Sequence, residues 1–286
     1  MNFINGIMEY EFLQKALTTS IMVGIICGVI GCFIILRGMA LMGDAISHAV
    51  LPGVALSYML GINFFFGAVF TGVLTALGIG FISQNSRIKN DVSIGVMFTA
   101  AFASGIILIT FMKSSTDLYH ILFGNVLAVR PEEMWTTLII GIIVLASIYL
   151  FYKELLVSSF DPTMAKAYGL PVRVIHYFLM TLLTLVTVAS LQTVGIVLVV
   201  AMLITPASTA YLLTDRLWVM LYLSAGIGVL SSILGLYFSY TYNLASGATI
   251  VLVATFLFVL AFVFSPKQGL LWRTIKVYRK RDAYSR

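Results

Sequence analysis

Charged residues are scarce in this chain. Only 10% of its 286 residues are Asp, Glu, Lys or Arg, whereas 60% are hydrophobic and the mean hydropathy is +1.05. Soluble globular chains carry about 25% charged residues, so this composition excludes that class. The sequence predicts an all-α, polytopic integral membrane protein with a single transmembrane domain over residues 1–286.

Cysteines, nucleotide-binding motifs and protease motifs are also few or missing. Cys27 and Cys32 are five residues apart on one predicted helix and point to different faces, so we interpret them as small packing residues and not as a disulfide. No G-x-x-x-x-G-K-[ST] or H-E-x-x-H motif occurs, which excludes a P-loop ATP site and that class of metalloprotease. A membrane enzyme is disfavoured because no nucleophile arrangement is present.

Long apolar runs dominate what is present. Nine of them have about 20 residues, the length that crosses a bilayer. The predicted spans are residues 16–36, 40–60, 63–82, 92–112, 133–151, 173–190, 194–213, 217–240 and 246–265. No basic region precedes the first run, so we count it as a span and not as a cleaved signal peptide.

The basic residues predict the orientation of these spans. With nine spans and a cytoplasmic basic tail, residues 266–286, the amino terminus lies outside. Seven basic residues then fall in inner loops and seven in the tail, against three outside, in agreement with the positive-inside rule. The net charge of +6 therefore reflects membrane orientation, and no nucleic-acid partner is expected. We expect a multi-pass membrane protein with its carboxyl terminus in the cytoplasm.

The segment GDAISHAVLPG in the second predicted span contains both an acid and an imidazole. Asp44 and His48 are four residues apart, so a helix places them on one face, one turn from each other. Pro52 lacks an N–H and should kink the helix and free the backbone carbonyl of His48. A carboxylate, an imidazole and a carbonyl on one side of a helix form the outline of a cation site.

Two penalties favour a function for this segment. A carboxylate at the centre of a span costs about 2.5–3.5 kcal/mol, and a proline inside a helix costs about 3 kcal/mol. Asp44 is the only acid placed away from the end of a predicted span. The alternative is that Asp44 and His48 bond each other and merely hold two helices in register. If the pair binds a cation, a divalent first-row ion fits the donor set: Mn²⁺ for the carboxylate and carbonyl, with Zn²⁺ or Fe²⁺ also suited to imidazole.

Small residues predict close helix packing. Gly24, Gly28 and Cys32 recur every four residues in the first span, which is typical of a ridge that another helix approaches closely. Ala45, Ala49 and Gly53 form a similar stripe beside the polar face of the second span.

The inner loop 153–173 is predicted to contain a short helix. In FDPTMAKAYGLP, Asp161 is the N-cap, Pro162 is the first helical residue, and Gly169 is the C-cap. Such a helix on the membrane surface can dock against a soluble partner, although a simple surface loop is the alternative.

One proline and two histidines elsewhere in the chain have structural interpretations. Pro206 in the seventh span predicts a kinked, packed helix whose freed Met202 carbonyl is bonded by nearby hydroxyls, with a role in lining a pathway as the alternative. His120, in a predicted interfacial helix over residues 117–129, and His176 are interpreted as interfacial imidazoles, with receipt of substrate from an external partner as the alternative for His120.

Four segments together resemble a known family. SHAVLPG, LFGNVLAV, FDPTMAKAYGLP and QTVGIVLVVAMLITPASTA occur in this order and resemble the permease subunits of bacterial ATP-binding-cassette importers for manganese, zinc and iron. The resemblance implies a permease that is not itself an enzyme, that holds no permanent cofactor, and that transports Mn²⁺, or alternatively Zn²⁺ or Fe²⁺. Asp44 and His48 match the intramembrane polar pair of that family.

The resemblance also implies partners. A second permease copy is expected to complete a homodimer in a bacterial plasma membrane, together with two cytoplasmic ATPase subunits and an extracellular metal-binding protein. The coupling helix to the ATPase would include Phe160, Asp161, Ala165 and Gly169, with Glu154 just before it.

The alternative function is a gradient-driven secondary cation carrier that uses Asp44 as its protonation site.

Overall fold

The structure is a computed structural model that describes residues 6–7, 9–111 and 126–265, and within these ranges it contains helices and no strands. The long helices are α1 (Glu11–Leu36), α4 (Phe64–Asn85), α5 (Asn90–Phe111), α6 (Pro131–Leu150), α9 (Val172–Val194), α10 (Ile196–Leu213), α11 (Leu217–Tyr242) and α12 (Ser246–Phe264). The shorter ones are α2 (Met42–Ala49), α3 (Leu51–Leu60), α7 (Tyr152–Phe160) and α8 (Pro162–Ala167), with a 3₁₀ turn at Val126–Ala128.

Eight of the described helices are long and apolar enough to cross a membrane. The predicted second span is not among them because it is interrupted at Val50, which separates α2 from α3. Together, α2 and α3 cover residues 42–60, close to the predicted 40–60. The prediction of an all-α membrane protein is confirmed, and eight helices plus this interrupted pair agree with about nine spans.

The glycine ridge of α1 packs against α11. A Cβ placed on Gly24 would lie 2.9 Å from the backbone carbon of Gly228, so the two backbones are in direct contact. One turn along, the hydroxyl of Ser224 donates to the carbonyl of Gly28 at 2.7 Å. The predicted ridge is therefore confirmed, and serine hydroxyls on α11 add hydrogen bonds to the close approach.

The two cysteines face different neighbours, as predicted. Both are free and buried. Cys27 Sγ lies 3.7 Å from the Ser190 hydroxyl on α9, whereas Cys32 Sγ points to the carbonyl of Met220 on α11. They fill space between α1 and its two neighbours.

Close packing also positions the interrupted helix. Gly53 on α3 meets the backbone of Gly67 on α4, and a Cβ on Gly105 of α5 would lie 3.0 Å from the nitrogen of Pro52. Ala45 and Ala49 are buried, as the predicted small-residue stripe requires. The segment 42–60 is thus held by α4 and α5, and α2 also contacts α9 and α10.

Hydrogen bonds connect chain segments that the nine-span topology puts on the same membrane side. Arg37, after α1, bonds Ser158 and Ser159 at the end of α7. The hydroxyl of Ser265, after α12, donates to the carbonyl of Leu212 near the end of α10 at 2.6 Å. These contacts agree with an even number of crossings between Arg37 and Ser158, namely the α2–α3 pair, α4, α5 and α6.

Candidate functional site

Asp44 and His48 lie on α2, where the structure brings them face to face. Asp44 is in the first turn of α2, and His48 follows one turn later. The pair is therefore nearer to the start of the 42–60 segment than to its middle, so the insertion penalty quoted for the centre of a span overstates the cost of Asp44. The i,i+4 spacing on a regular helix produces this arrangement without help from other elements.

The distance between the two side chains suits a shared cation better than a direct bond. Asp44 Oδ1 and His48 Nε2 are 3.5 Å apart, whereas a charge-assisted hydrogen bond is about 2.7–2.9 Å long. With metal–ligand bonds of about 2.1 Å, this separation corresponds to a ligand–metal–ligand angle of about 110°. First-row divalent ions accept such an angle, so the two side chains are close enough to share one ion.

The exposure of the pair is unusual for polar groups in a spanning segment. The Asp44 side chain is 47% exposed and the His48 side chain 27% exposed. Within the described residues, no group of three or more His, Cys, Asp or Glu side chains is placed to hold a metal. The pair therefore offers two accessible side-chain donors, and no third side chain of these types joins them in the described ranges.

Two aromatic rings that the sequence analysis missed surround the imidazole of His48. The centroids of Phe102 and Phe98, both on α5, lie 5.5 Å and 5.6 Å from that of His48. His48 Nδ1 is buried and has no hydrogen-bond partner among the residues that the structure describes. Nε2, which faces Asp44, is consequently the nitrogen available to a ligand. The i,i+4 phenylalanine pair on α5 was the only sequence signal for this contact.

The two prolines occupy different positions. Pro52 lies in the first turn of α3, immediately after the interruption at Val50, so it is not inside a continuous helix as expected. Thr71 on α4 directs its hydroxyl to the carbonyl of Val50 at 3.4 Å. The backbone N–H at the C-cap of α2 is directed to the carbonyls of His48 and Ile46, so the prediction that the His48 carbonyl is left free is wrong.

Pro206 lies inside α10, which continues through it. The neighbouring hydroxyl bond joins Thr209 to the carbonyl of Thr205 at 2.7 Å, and not to Met202 as we expected. The kink at Pro206 and its possible place beside a pathway stay predictions.

The predicted surface helix is present as α8. The carboxylate of Asp161 accepts hydrogen bonds from the backbone N–H groups of Thr163 and Met164, both at 2.9 Å, and Pro162 is the first helical residue. The helix ends at Ala167, and Gly169 follows with φ of +78°, a conformation that favours glycine. The predicted N-cap and first helical residue are confirmed, whereas the C-cap is Tyr168, one residue before the predicted Gly169.

Some side chains of α7 and α8 are buried against the protein, and others are exposed. Ala165 is fully buried and packs α8 against the protein. Glu154 on α7 has a buried oxygen, Oε2, with no hydrogen-bond partner among the residues that the structure describes. Three exposed side chains, called the exposed stripe below, lie along this segment: Phe160 at 56%, Met164 at 49% and Tyr168 at 70% exposed. Met164 and Tyr168 were missed by the sequence analysis, although their spacing from Phe160 was visible.

The other histidines contribute little to this site. His176, on α9, is partly buried with no hydrogen-bond partner for Nε2 in the described part of the chain, so it is less exposed than an interfacial imidazole would be. His120 and most of the predicted interfacial helix 117–129 lie outside the described residues, as does the basic tail 266–286.

The chain is similar to known proteins in both sequence and structure. Residues 9–265 match the model of the ABC 3 transport family. The chain is 70% identical over 272 residues to the manganese transport system membrane protein MntC of Listeria monocytogenes, covering 95% of this chain and 97% of that protein. It is 53% identical over 266 residues to the manganese import system permease protein ScaB of Streptococcus pneumoniae, covering 93% and 95%. A solved structure of PsaBC from Streptococcus pneumoniae in complex with Fab matches with a TM-score of 0.85 and 53% identity, over 96% of this chain and 98% of that chain.

Proposed function

Because the chain belongs to the ABC 3 transport family, we propose that it is the permease subunit of an ATP-driven importer of manganese. The relatives named for manganese transport support this cargo. Zn²⁺ and Fe²⁺ are the next candidates, since imidazole also suits them. The permease moves the ion, and a separate partner subunit hydrolyses ATP.

The facing pair of Asp44 and His48 carries the proposal. A carboxylate that is 47% exposed in a membrane-spanning segment must meet water, an ion or another chain, because lipid offers it no hydrogen bonds. With His48 Nε2 at 3.5 Å, the ion passes this pair on its way across the membrane. Two ligands bind weakly, and weak binding lets a transported ion leave.

A second copy of the chain completes the importer. Two side-chain ligands are fewer than a first-row ion takes, and the described residues supply no further carboxylate or imidazole beside them. A homodimer provides a second pair and encloses the path, so the exposed face of α2 is turned toward the partner copy or toward water.

The other partners bind at opposite membrane faces. The α7–α8 segment is the docking site for a cytoplasmic ATPase, with the exposed stripe Phe160, Met164 and Tyr168 in contact with it. An extracellular metal-binding protein delivers the ion at the opposite side. The amino terminus is outside and the carboxyl terminus is cytoplasmic, in a bacterial plasma membrane.

Substitution of the pair tests the pathway. Membrane vesicles containing the permease, its ATPase and its metal-binding protein should take up Mn²⁺, and Asp44→Asn or His48→Ala should reduce uptake at least about tenfold. Asp91→Asn, an exposed acid on α5, is the matched control and should leave uptake unchanged. Normal uptake by the Asp44 and His48 variants would remove the pair from the path. Uptake by the purified permease without the ATPase would instead support a gradient-driven carrier that uses Asp44 as its protonation site.

Substitution of α8 tests the docking site. Met164→Glu with Tyr168→Glu places two charges on the exposed stripe, and Gly169→Arg strains a backbone with φ of +78°. Both variants should lose co-purification with the ATPase while the permease remains inserted. Lys153→Glu, exposed on α7, is the control. An intact complex in both variants would reject the docking assignment.

A further inference from the structure

Arg37 forms a bridge between two distant segments of the chain. It follows the last residue of α1, and its guanidinium donates from Nη2 to the Ser158 hydroxyl at 2.7 Å and from Nε to the Ser159 hydroxyl at 3.0 Å. Burial lowers the pKa of Arg37 to about 10, so the group is still a cation at neutral pH. In the described ranges, no carboxylate lies within ion-pair distance of it. The two neutral hydroxyls are thus its side-chain acceptors.

The two serines belong to the proposed docking segment. Both are buried in the last turn of α7. Phe160 and Asp161 follow them directly, and Asp161 is the N-cap of α8. A force applied to α8 therefore reaches Ser158 and Ser159 through only a few residues of chain.

On its other side, Arg37 begins a short, well-bonded corner that leads to the metal pair. Gly38 has φ of +65°, and Met39 N–H donates back to the carbonyl of Ile34 at 3.0 Å. Met42 N–H then donates to the carbonyl of Met39 at 3.0 Å, and α2 begins, with Asp44 in its first turn. Because backbone hydrogen bonds close this corner, Arg37 and α2 should move together.

We propose that Arg37 is a positioning residue of the importer, which links α7–α8 to the corner before α2 so that movement of the docking segment shifts Asp44 and His48. Hydrogen bonds to neutral hydroxyls are weaker than those to a carboxylate, which allows the link to re-form as the segment moves. The competing route runs from α8 through α9, which also contacts α2. The inference rests on the proposed function.

The test compares ion transport with ATP hydrolysis in the reconstituted importer, with the permease, ATPase and metal-binding protein present and ⁵⁴Mn²⁺ as the probe. Arg37→Gln, and separately the double variant Ser158→Ala with Ser159→Ala, should keep the ATPase bound and hydrolysing ATP. The number of ions imported per ATP should fall about tenfold in each. Combining all three substitutions should cause no further loss, since they remove one shared interaction. Arg37→Lys should recover part of the coupling, and Arg216→Gln, an exposed arginine on the same membrane side, should behave as wild type.

Each outcome decides the inference. Unchanged ions per ATP in the serine variant would overturn it, as would loss of the ATPase from the Arg37→Gln complex, which would make Arg37 part of the docking surface alone. If Arg37→Gln does not insert into the membrane, the serine variant decides, because it removes only two hydroxyl groups. Failure of the wild-type complex to import Mn²⁺ would refute the proposed function, and is distinct from every result above.

Discussion

At the scale of single residues, the surroundings of His48 bear on how the proposed metal pair is held in place. A neutral imidazole that offers Nε2 to an ion carries its proton on Nδ1. Ligand histidines usually donate that proton to a second group that fixes the ring, but Nδ1 of His48 has no such partner among the described residues. The rings of Phe98 and Phe102 are left to orient the imidazole by contact.

Phe102→Leu should therefore weaken ion capture without removing a ligand. The smaller side chain lets the imidazole rotate away from Asp44, so the Mn²⁺ concentration for half-maximal uptake should rise about threefold to tenfold while maximal uptake changes less. Uptake by membrane vesicles at a series of Mn²⁺ concentrations measures this. Phe111→Leu is the matched control, since Phe111 is on the same helix but 79% exposed. An unchanged concentration dependence in Phe102→Leu would show that the rings do not orient His48.

At the scale of helices, small residues decide which elements can approach. Gly24 and Gly228 allow α1 and α11 to meet backbone to backbone, and Ser224 adds a hydrogen bond across the contact. In a membrane such packing replaces the hydrophobic driving force, because lipid tails are as apolar as the side chains. A similar backbone contact, between Gly53 and Gly67, positions α3 against α4.

Two glycines on α11 allow a matched test of the contact between α1 and α11. A Cβ on Gly228 would lie 2.8 Å from the backbone carbon of Gly24, whereas one on Gly226 meets no atom within 4 Å. Gly228→Ala should destabilise the fold by about 1–3 kcal/mol through overpacking, and Gly226→Ala should be within about 0.5 kcal/mol of wild type. Thermal unfolding in detergent compares the two variants. Equal melting temperatures would show that the α1–α11 contact is looser than described.

At the scale of the whole molecule, the positions of the basic residues and the interrupted pair α2–α3 together indicate how the chain crosses the membrane. An odd number of crossings puts seven loop arginines and lysines, and the seven of the tail, on one side. Counting only the eight long helices would place part of them on the other side, so the proposed topology requires the pair α2–α3 to cross as the ninth span. That crossing carries Asp44 and His48.

Cysteine labelling of intact cells tests the orientation. Leu244→Cys, between α11 and α12, should react with a membrane-impermeant maleimide from outside, whereas Ser86→Cys, between α4 and α5, should react only after the membrane is opened. Both positions are exposed, and the native cysteines are buried, which keeps the background low. Labelling of Ser86→Cys alone in intact cells would invert the proposed topology.

The sequence by itself determined the features whose causes are local. The apolar runs set the helices, Asp161 and Gly169 set the ends of α8, and the spacing of Asp44 and His48 set their common face, since each depends on residues within one or two turns. Only the tertiary structure decided which helix meets the ridge of α1, which rings flank His48, and that Arg37 bonds Ser158 and Ser159. Those contacts join residues 50 to 204 positions apart, where no helical period connects them. Close packing of small residues, aromatic contacts and side-chain hydrogen bonds between helices select the partner instead.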